Sequence, residues 1–534
     1  MKRKLLTALL CGALMLTSLA GCGQGAGNQS GTSAGGESAV KDELVFVNYR
    51  DIRDLNPHLY AGEMYAQSIL YDTLVSNTSE GYVGCLAEDW TISEDGRTYT
   101  FNIRDGVTFS DGTPCDANAI LANFNAILEN RERHTWLEMM NLLVGVSAPD
   151  DDTFVIEMSE PYYPMLTELA CIRPFAMISP NCMIDGSTKD GVNGYIGTGP
   201  YVLTDFVTDE YAVFERNENY WGEKPAIRKI TVKVIPDNQT RIMALENGEI
   251  DLIFGKNMLD ADAISQYVDS DKFTVGLSDP TSTRHIVLNT THDILGDKSV
   301  RQALQHATNR QAISEGIFYG LEPAADTLYS TTVPYCDVDL EPYAYDADEA
   351  ARLLDEAGWT MGSDGIRAKD GQKLALDLLY NSDSVTEKTI SEYLQSEYLK
   401  LGISLNIHGE EEQSYRDNMK AGNFDMVFNI CWGMPYDPQS SLAAMRAPVY
   451  GDYAAQQGLE DKAEIDQAIT DILTSTDETK RQELYTFVLT RLHEDAVYIP
   501  LTFETNKALY TSDLKGVHFG TDQYDVDFAS MYFA

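Results

Sequence analysis

The sequence has few basic residues for its length. Lysine and arginine together number 39 against 83 aspartates and glutamates, so the 534-residue chain has a formal net charge of -44 at pH 7. This excludes nucleic acid and bare anionic membrane as electrostatic partners. The eight cysteines contain no Cys-x-x-Cys pair, which excludes a zinc ribbon and a thioredoxin-like redox site. After residue 20 no run of about 18 apolar residues occurs, so no later segment is predicted to span a membrane.

Sequence motifs of common hydrolases and nucleotide-binding enzymes are also missing. Beyond residue 40 the chain has no Gly-x-Ser-x-Gly, no His-Glu-x-x-His and no phosphate-binding P-loop. His493, Glu494 and Asp495 are consecutive on a predicted helix, where neighbouring side chains point apart, so they form no catalytic triad. We therefore predict that the protein is not an enzyme and carries no permanent cofactor.

The N-terminus has the three parts of a secretory signal peptide. Basic residues 2–4 precede an apolar stretch at 5–19 and a small-residue cleavage site, so residues 1–21 are predicted to be removed. The Leu-Ala-Gly-Cys sequence that ends at Cys22 resembles the lipobox of bacterial lipoproteins, which implies lipidation of Cys22. Residues 22–41 are then the lipidated cysteine and a flexible Gly/Ser-rich tether. A lipid anchor outside the cytoplasmic membrane is implied; the alternative is an ordinary secretory peptide with a chance cysteine.

Strand and helix patterns alternate along the rest of the chain. Segments typical of strands lie at 229–235, 250–254, 374–380, 403–408 and 424–430. Segments with helical spacing, at 240–247 and 390–401, separate two pairs of these strands. This β-α-β order predicts an α/β fold. The loop 431–438 is a predicted ligand site, because ligands of open α/β sheets lie outside the carboxyl ends of strands.

Ordered motifs along nearly the whole mature chain carry a family resemblance. They lie at 56–58, 71–74, 86–114, 197–201, 216–222, 288–290 and 300–303. With these motifs the chain resembles the peptide/nickel class (family 5) of extracellular solute-binding proteins of ABC transporters. The resemblance implies a two-lobed, hinged (Venus-flytrap) periplasmic-binding-protein fold with an extra subdomain in the first lobe. It also implies a monomer whose partners are the permease and ATPase subunits of an importer.

The predicted lobes are discontinuous in sequence. The first lobe is expected at 42–283 plus 505–534, with an inserted subdomain at about 75–195, and the second lobe at 284–504. Two chain crossings between the lobes would form a hinge, and a ligand that contacts both lobes would favour closure.

Within this class the chain is most similar to the nickel-binding proteins of nickel importers. The motifs responsible lie at 56–60, 129–136, 173–175, 432–438 and 491–498. Such proteins hold nickel as a chelate with small organic acids or histidine. The resemblance implies a ligand cleft lined by Arg173, Trp136, Trp432, Tyr436, Tyr60, Met64 and Arg133.

These residue types suit a metal chelate. Arg173 can hold a carboxylate through two parallel hydrogen bonds, and Trp136, Trp432 and Tyr436 can stack on flat organic faces. Met64 adds an adaptable wall. The alternatives without ligand binding are a structural role for Arg173 and ordinary core packing for the two tryptophans.

Two positions depart from related patterns and leave alternatives open. Where nickel-binding relatives with a direct protein ligand have a histidine, this chain has Tyr450, and a neutral phenol is a poor nickel ligand. The metal ligands of the protein are therefore unknown. In peptide-binding relatives an aspartate pairs with the peptide ammonium, but that position here is Pro435, with Asp437 as a substitute two residues on. A dipeptide- or oligopeptide-binding protein is the alternative function.

Overall fold

The centre of the fold is a ten-stranded mixed sheet. The structure is a computed structural model that describes residues 41–78, 81–255, 258–431, 438–520 and 524–534. The predicted signal peptide, Cys22, the tether, Trp432 and Tyr436 lie outside these ranges. No helix in the described part is long and apolar enough to cross a membrane.

The strands of the central sheet follow an order that differs from their order in sequence. From edge to edge the sheet contains Tyr201–Val207, Tyr211–Arg216, Lys229–Val234, Glu43–Asn48, Leu252–Phe254, Tyr498–Thr511, Phe273–Leu288, Met426–Cys431, Ala375–Asn381 and Ser404–Glu410. Strand Glu43–Asn48 pairs in parallel with Lys229–Val234 and Leu252–Phe254, so three carboxyl ends meet at one edge. The predicted α/β fold and its predicted strands are confirmed.

Two long antiparallel strands cross the middle of this sheet. Strand Phe273–Leu288 pairs with Tyr498–Thr511 along almost its whole length. On its other side, Tyr498–Thr511 pairs with Leu252–Phe254. Phe273–Leu288 pairs on its other side with Met426–Cys431, so the two long strands join the two halves of the sheet. The register shifts on both sides of Pro280, a residue that cannot donate a ladder hydrogen bond.

Several helices begin at an aspartate that caps their N-terminus. The carboxylates of Asp116, Asp237, Asp297 and Asp477 each accept a backbone N–H of the first turn that follows. The α-helices are Met64–Leu70, Ala117–Glu129, Glu138–Leu142, Met165–Leu169, Ile172–Phe175, Asn238–Glu246, Ala261–Ser265, Lys298–Ala307, Arg310–Ile317, Ala347–Glu356, Val385–Lys400, Glu412–Ala421, Pro438–Ala444, Gly451–Ala455, Lys462–Thr474 and Glu478–Glu494.

A second, smaller sheet has a core of its own. Its four antiparallel strands follow the order Ala87–Ile92, Thr98–Ile103, Thr153–Met158 and Leu143–Ser147. The buried apolar residues that pack with it all lie between Leu74 and Met177. This separate core falls inside the predicted subdomain, whose bounds stay a prediction. Smaller two- and three-stranded pieces are Val75–Thr78 with Gly81–Gly84, Met183–Ile184 with Ser187–Val192, Thr360–Met361 with Arg367–Lys369 and Gln372–Lys373, and Leu514–Lys515 with Tyr532–Phe533.

Candidate functional site

A cavity of about 1000 Å³ opens at the shared carboxyl ends of the parallel strands. Asn48 ends the first strand, Pro236 follows Lys229–Val234, and Phe254 ends the third strand; all three residues line the cavity. Strand ends of an open α/β sheet are where ligands are expected. The cavity is therefore the candidate ligand site. Residues 432–437 of the predicted ligand loop lie outside the described residues, so the role of that loop stays a prediction.

The structure brings five of the predicted site residues together in this cavity. Tyr60, Met64, Arg133, Trp136 and Arg173 all line it, although more than a hundred positions separate the first from the last. The other two predicted residues, Trp432 and Tyr436, lie outside the described residues. The five predicted residues therefore line the same cavity. Their contact with a ligand stays a prediction.

Arg173 is held by neutral hydrogen-bond acceptors. Its Nε donates to Gln67 Oε1 at 2.7 Å, and its Nη2 donates to the Gly62 carbonyl. Gln67 is fully buried on the helix Met64–Leu70, so its amide is a fixed anchor. These two bonds fix the orientation of the guanidinium at the cavity wall.

A hydrogen-bonded relay fixes the aromatic rim of the cavity. The indole N–H of Trp136 donates to the Tyr60 hydroxyl at 2.6 Å, and that hydroxyl donates to Nδ1 of His134 at 2.6 Å. Burial, together with the charge of Arg133, lowers the pKa of His134 to about 4, so its imidazole is neutral at pH 7 and Nδ1 can accept. Burial raises the pKa of Tyr60 to about 12. In this arrangement Trp136 is still 43% exposed, so part of it is accessible to a ligand.

The cavity wall is basic although the protein is acidic. Among the described residues, the charged ones that line it are one glutamate, Glu63, and the arginines Arg50, Arg53, Arg133, Arg173 and Arg241. Only one of the five is paired with this glutamate, through a 2.6 Å bond from Arg50 Nε. A concentration of positive charge inside a chain of net charge -44 favours an anionic ligand.

Three of these arginines were not predicted. Arg50 and Arg53 follow the apolar segment 43–48 directly, and the strand-end rule applied to that segment would have found them. Arg241 lies on the helix Asn238–Glu246 and donates to the backbone carbonyls of Ile235, Pro236 and Met258. No sequence pattern identifies Arg241 as a cavity residue, because the contacts that bury it form only in the folded chain.

Tyr450, which stands where the family resemblance implies a histidine in proteins that bind nickel directly, also lines the cavity. It precedes the helix Gly451–Ala455, and burial raises the pKa of its phenol, which is therefore protonated at neutral pH. Across the ranges that the structure describes, no three His, Cys, Asp or Glu side chains form a group that could hold a metal ion. The described wall offers guanidinium, indole and phenol groups, which bind carboxylates and flat organic faces.

Comparisons with known proteins agree on one family. Residues 81–452 match the model of "Bacterial extracellular solute-binding proteins, family 5 Middle". The nickel-binding periplasmic protein of Escherichia coli (strain K12) is 41% identical over 496 residues, which cover 92% of this chain and 94% of the relative. The dipeptide-binding protein of the same strain is 26% identical, over 89% of this chain and 91% of its own.

A solved structure extends the agreement to the fold. The crystal structure of NikA from Brucella suis in complex with Fe(III)-EDTA matches with a TM-score of 0.89 and 44% identity, over 92% of this chain and 100% of that chain. This match confirms the predicted two-lobed periplasmic-binding-protein fold. The family consists of solute-binding proteins of transporters, which confirms that the protein is not an enzyme. The chain belongs to the bacterial extracellular solute-binding proteins, family 5.

Proposed function

We propose that this protein captures nickel, or another transition metal, as an anionic chelate and delivers it to the permease and ATPase subunits of an ABC importer. The basic, aromatic cavity is the observation that supports the proposal most strongly. Two relatives bind such cargo by name, one nickel and one Fe(III)-EDTA. The metal is the transported cargo, and the chelator is the part that the protein recognises.

The cavity residues provide a separate interaction for each part of such a ligand. A carboxylate of the chelator accepts charge-assisted hydrogen bonds from Arg133 and Arg173, whose planar guanidinium groups match its two oxygens. Flat organic parts of the chelator stack on Trp136, with Trp432 and Tyr436 proposed as the opposite wall. The flexible side chain of Met64 packs against the part of the chelate that the other residues leave uncovered. Selectivity then depends on the charge and shape of the whole complex.

A free peptide is the second candidate, because a dipeptide-binding protein is among the relatives. Its ammonium group would need a carboxylate in the cavity wall. Glu63 is the one such residue in the described lining, but it already accepts hydrogen bonds from Arg50 at 2.6 Å and Asn48 at 3.2 Å. Within the described lining, a buried ammonium would face five arginines with no carboxylate of its own, which disfavours the peptide.

Closure of two lobes over the ligand is part of the proposal. The lobes are assigned to 42–283 plus 505–534, with the subdomain at about 75–195, and to 284–504. With these bounds, Tyr163 belongs to the first lobe and Arg481 to the second. The Arg481 guanidinium carbon lies 3.4 Å from the Tyr163 ring centroid, and the Tyr163 hydroxyl donates to Glu478 Oε1 at 2.7 Å. This contact would stabilise the closed form that the permease recognises.

We also place the protein at the outer face of the cytoplasmic membrane as a lipid-anchored monomer. The proposed anchor is Cys22 after removal of residues 1–21, with 22–41 as a tether. Metabolic labelling with a radioactive fatty acid tests this: label should enter the wild-type chain and be absent from a Cys22→Ser chain. Equal labelling of both chains would contradict the anchor.

Isothermal titration tests the proposed cargo. Residues 41–534 form one compact unit and can be titrated with Ni(II)–histidine, Ni(II)–EDTA, nickel alone and a set of dipeptides. We expect heat from at least one chelate and its loss in Arg173→Ala. Arg97→Ala is the matched control, because Arg97 is exposed and lies outside the cavity. Heat from dipeptides but from no chelate would contradict the proposal.

A further inference from the structure

Three arginines border one short segment of the cavity wall, Ala61–Glu63. Nη1 of Arg53 lies 3.5 Å from the first carbonyl of the segment, and Nη2 of Arg173 donates to the second. Nε of Arg50 donates to the glutamate side chain that ends the segment. Since neighbouring Cα atoms are about 3.8 Å apart, the guanidinium groups of Arg53 and Arg173 contact adjacent peptide units of the same wall.

Arg50 and Arg53 differ in how their charge is compensated. Arg50 forms an ion pair with Glu63, so it adds little net charge to the wall. Within the described ranges no carboxylate lies within ion-pair distance of the Arg53 guanidinium, and its long contact with the Ala61 carbonyl is a weak hydrogen bond. Arg53 therefore keeps both its charge and most of its hydrogen-bonding capacity for another group.

The backbone at Arg53 is fixed in a conformation that few side chains adopt. Its φ is +55°, in the left-handed region, and its N–H donates to Asp51 Oδ1 at 3.1 Å. On the facing segment, a Cβ added at Gly62 would lie 2.3 Å from the Asp54 carbonyl oxygen, so only glycine allows this close approach. The loop is thus clamped against Ala61–Glu63 with Arg53 at the cavity surface.

We propose that Arg53 is a specificity-determining residue that, next to Arg173, binds a second carboxylate of the chelate. The cargo is then a metal complex of net negative charge with at least two carboxylates that are not neutralised by the metal. A neutral bis-amino-acid complex offers no such group to Arg53. This inference rests on the proposed function and narrows its ligand class.

Titration of the full chain, kept in mild detergent, with two nickel chelates of different charge tests the inference. Ni(II)–EDTA carries a net charge of about -2 and bis-histidine nickel is neutral at pH 7. We expect Arg53→Ala to weaken binding of Ni(II)–EDTA by about 10- to 100-fold, the range of one charge-assisted pair, and to change binding of the neutral complex less than about twofold. Arg53→Lys should fall between wild type and Arg53→Ala, because it keeps the charge but not the planar fork.

The outcomes separate this inference from the proposed function. Equal binding of Ni(II)–EDTA by wild type and Arg53→Ala, or equal weakening of both chelates, would overturn the role of Arg53 while leaving chelate capture in place. Binding of neither chelate by the wild-type chain would overturn both. Arg97→Ala should match wild type with both chelates, and Arg53→Asn repeats the test with a residue that tolerates the left-handed backbone.

Discussion

Replacing Tyr60 with phenylalanine tests whether the relay at the cavity rim is structural. The variant removes the hydroxyl that accepts from Trp136 and donates to His134, each at 2.6 Å. His134 is fully buried, and within the described residues its Nε2 already has no hydrogen-bond partner, so Nδ1 would become a second unpaired atom. Leaving a buried acceptor unpaired costs about 1–3 kcal/mol of unfolding free energy.

Tyr71 supplies the matched control for this change. Its hydroxyl is buried and, in the described part of the chain, has no hydrogen-bond partner. Tyr71→Phe should therefore leave the unfolding free energy unchanged or raise it slightly. Urea unfolding followed by circular dichroism compares the two variants. If Tyr60→Phe is as stable as Tyr71→Phe, the relay does not contribute to stability.

The same variant should affect binding through Trp136. Without the Tyr60 hydroxyl the indole loses an orienting bond, and ordering one such side chain on binding costs about 0.5–1.5 kcal/mol. The dissociation constant for a bound chelate should rise by about two- to tenfold. Titration calorimetry measures this rise, and an unchanged constant with reduced stability would restrict the relay to a structural role.

Three further predictions each concern a single residue. Gly62→Ala should lower the unfolding free energy by about 1–3 kcal/mol and weaken chelate binding, because its Cβ would lie 2.3 Å from the Asp54 carbonyl oxygen; wild-type values in urea unfolding and calorimetry would refute this. Tyr163→Phe should lower the unfolding free energy by about 1 kcal/mol through loss of the bond to Glu478, and unchanged thermal unfolding would contradict it. Burial lowers the pKa of His58 to about 3, below its unfolded value of about 6.5. His58 should therefore contribute about 3–5 kcal/mol to the change in unfolding free energy between pH 6.5 and 3, as a loss of stability with falling pH. This contribution should be missing in His58→Gln, and identical pH profiles of the two chains would refute it.

The family motifs, rather than the local patterns, contain the predicted residues that line the cavity. Tyr60, Arg133 and Arg173 were identified by resemblance and line one cavity. The periodicity of segments 229–235 and 250–254 predicted two strands that flank this cavity, but not that strand Glu43–Asn48 lies between them. Strand order depends on packing between distant segments, which the alternation of residues within one strand does not record.

The burial of Arg481 could not be predicted from the sequence. Arg481 lies in the first turn of the helix Glu478–Glu494 and its side chain is fully buried, although arginine is usually exposed. The rings of Tyr163 and Tyr335 cover its guanidinium from positions more than a hundred residues away. A helical pattern places such a residue at the surface. Only the three-dimensional arrangement reveals the aromatic neighbours that make its burial favourable.

Equilibrium dialysis with nickel quantified by mass spectrometry tests the central claim most directly. The purified chain is dialysed against nickel alone, nickel with EDTA, nickel with histidine, and each chelator without metal. The account predicts that the protein retains about one nickel per chain only when a chelator is present, and that Arg173→Ala retains much less. Equal retention of nickel without any chelator, or no retention of nickel with either chelator, would contradict capture of a metal chelate.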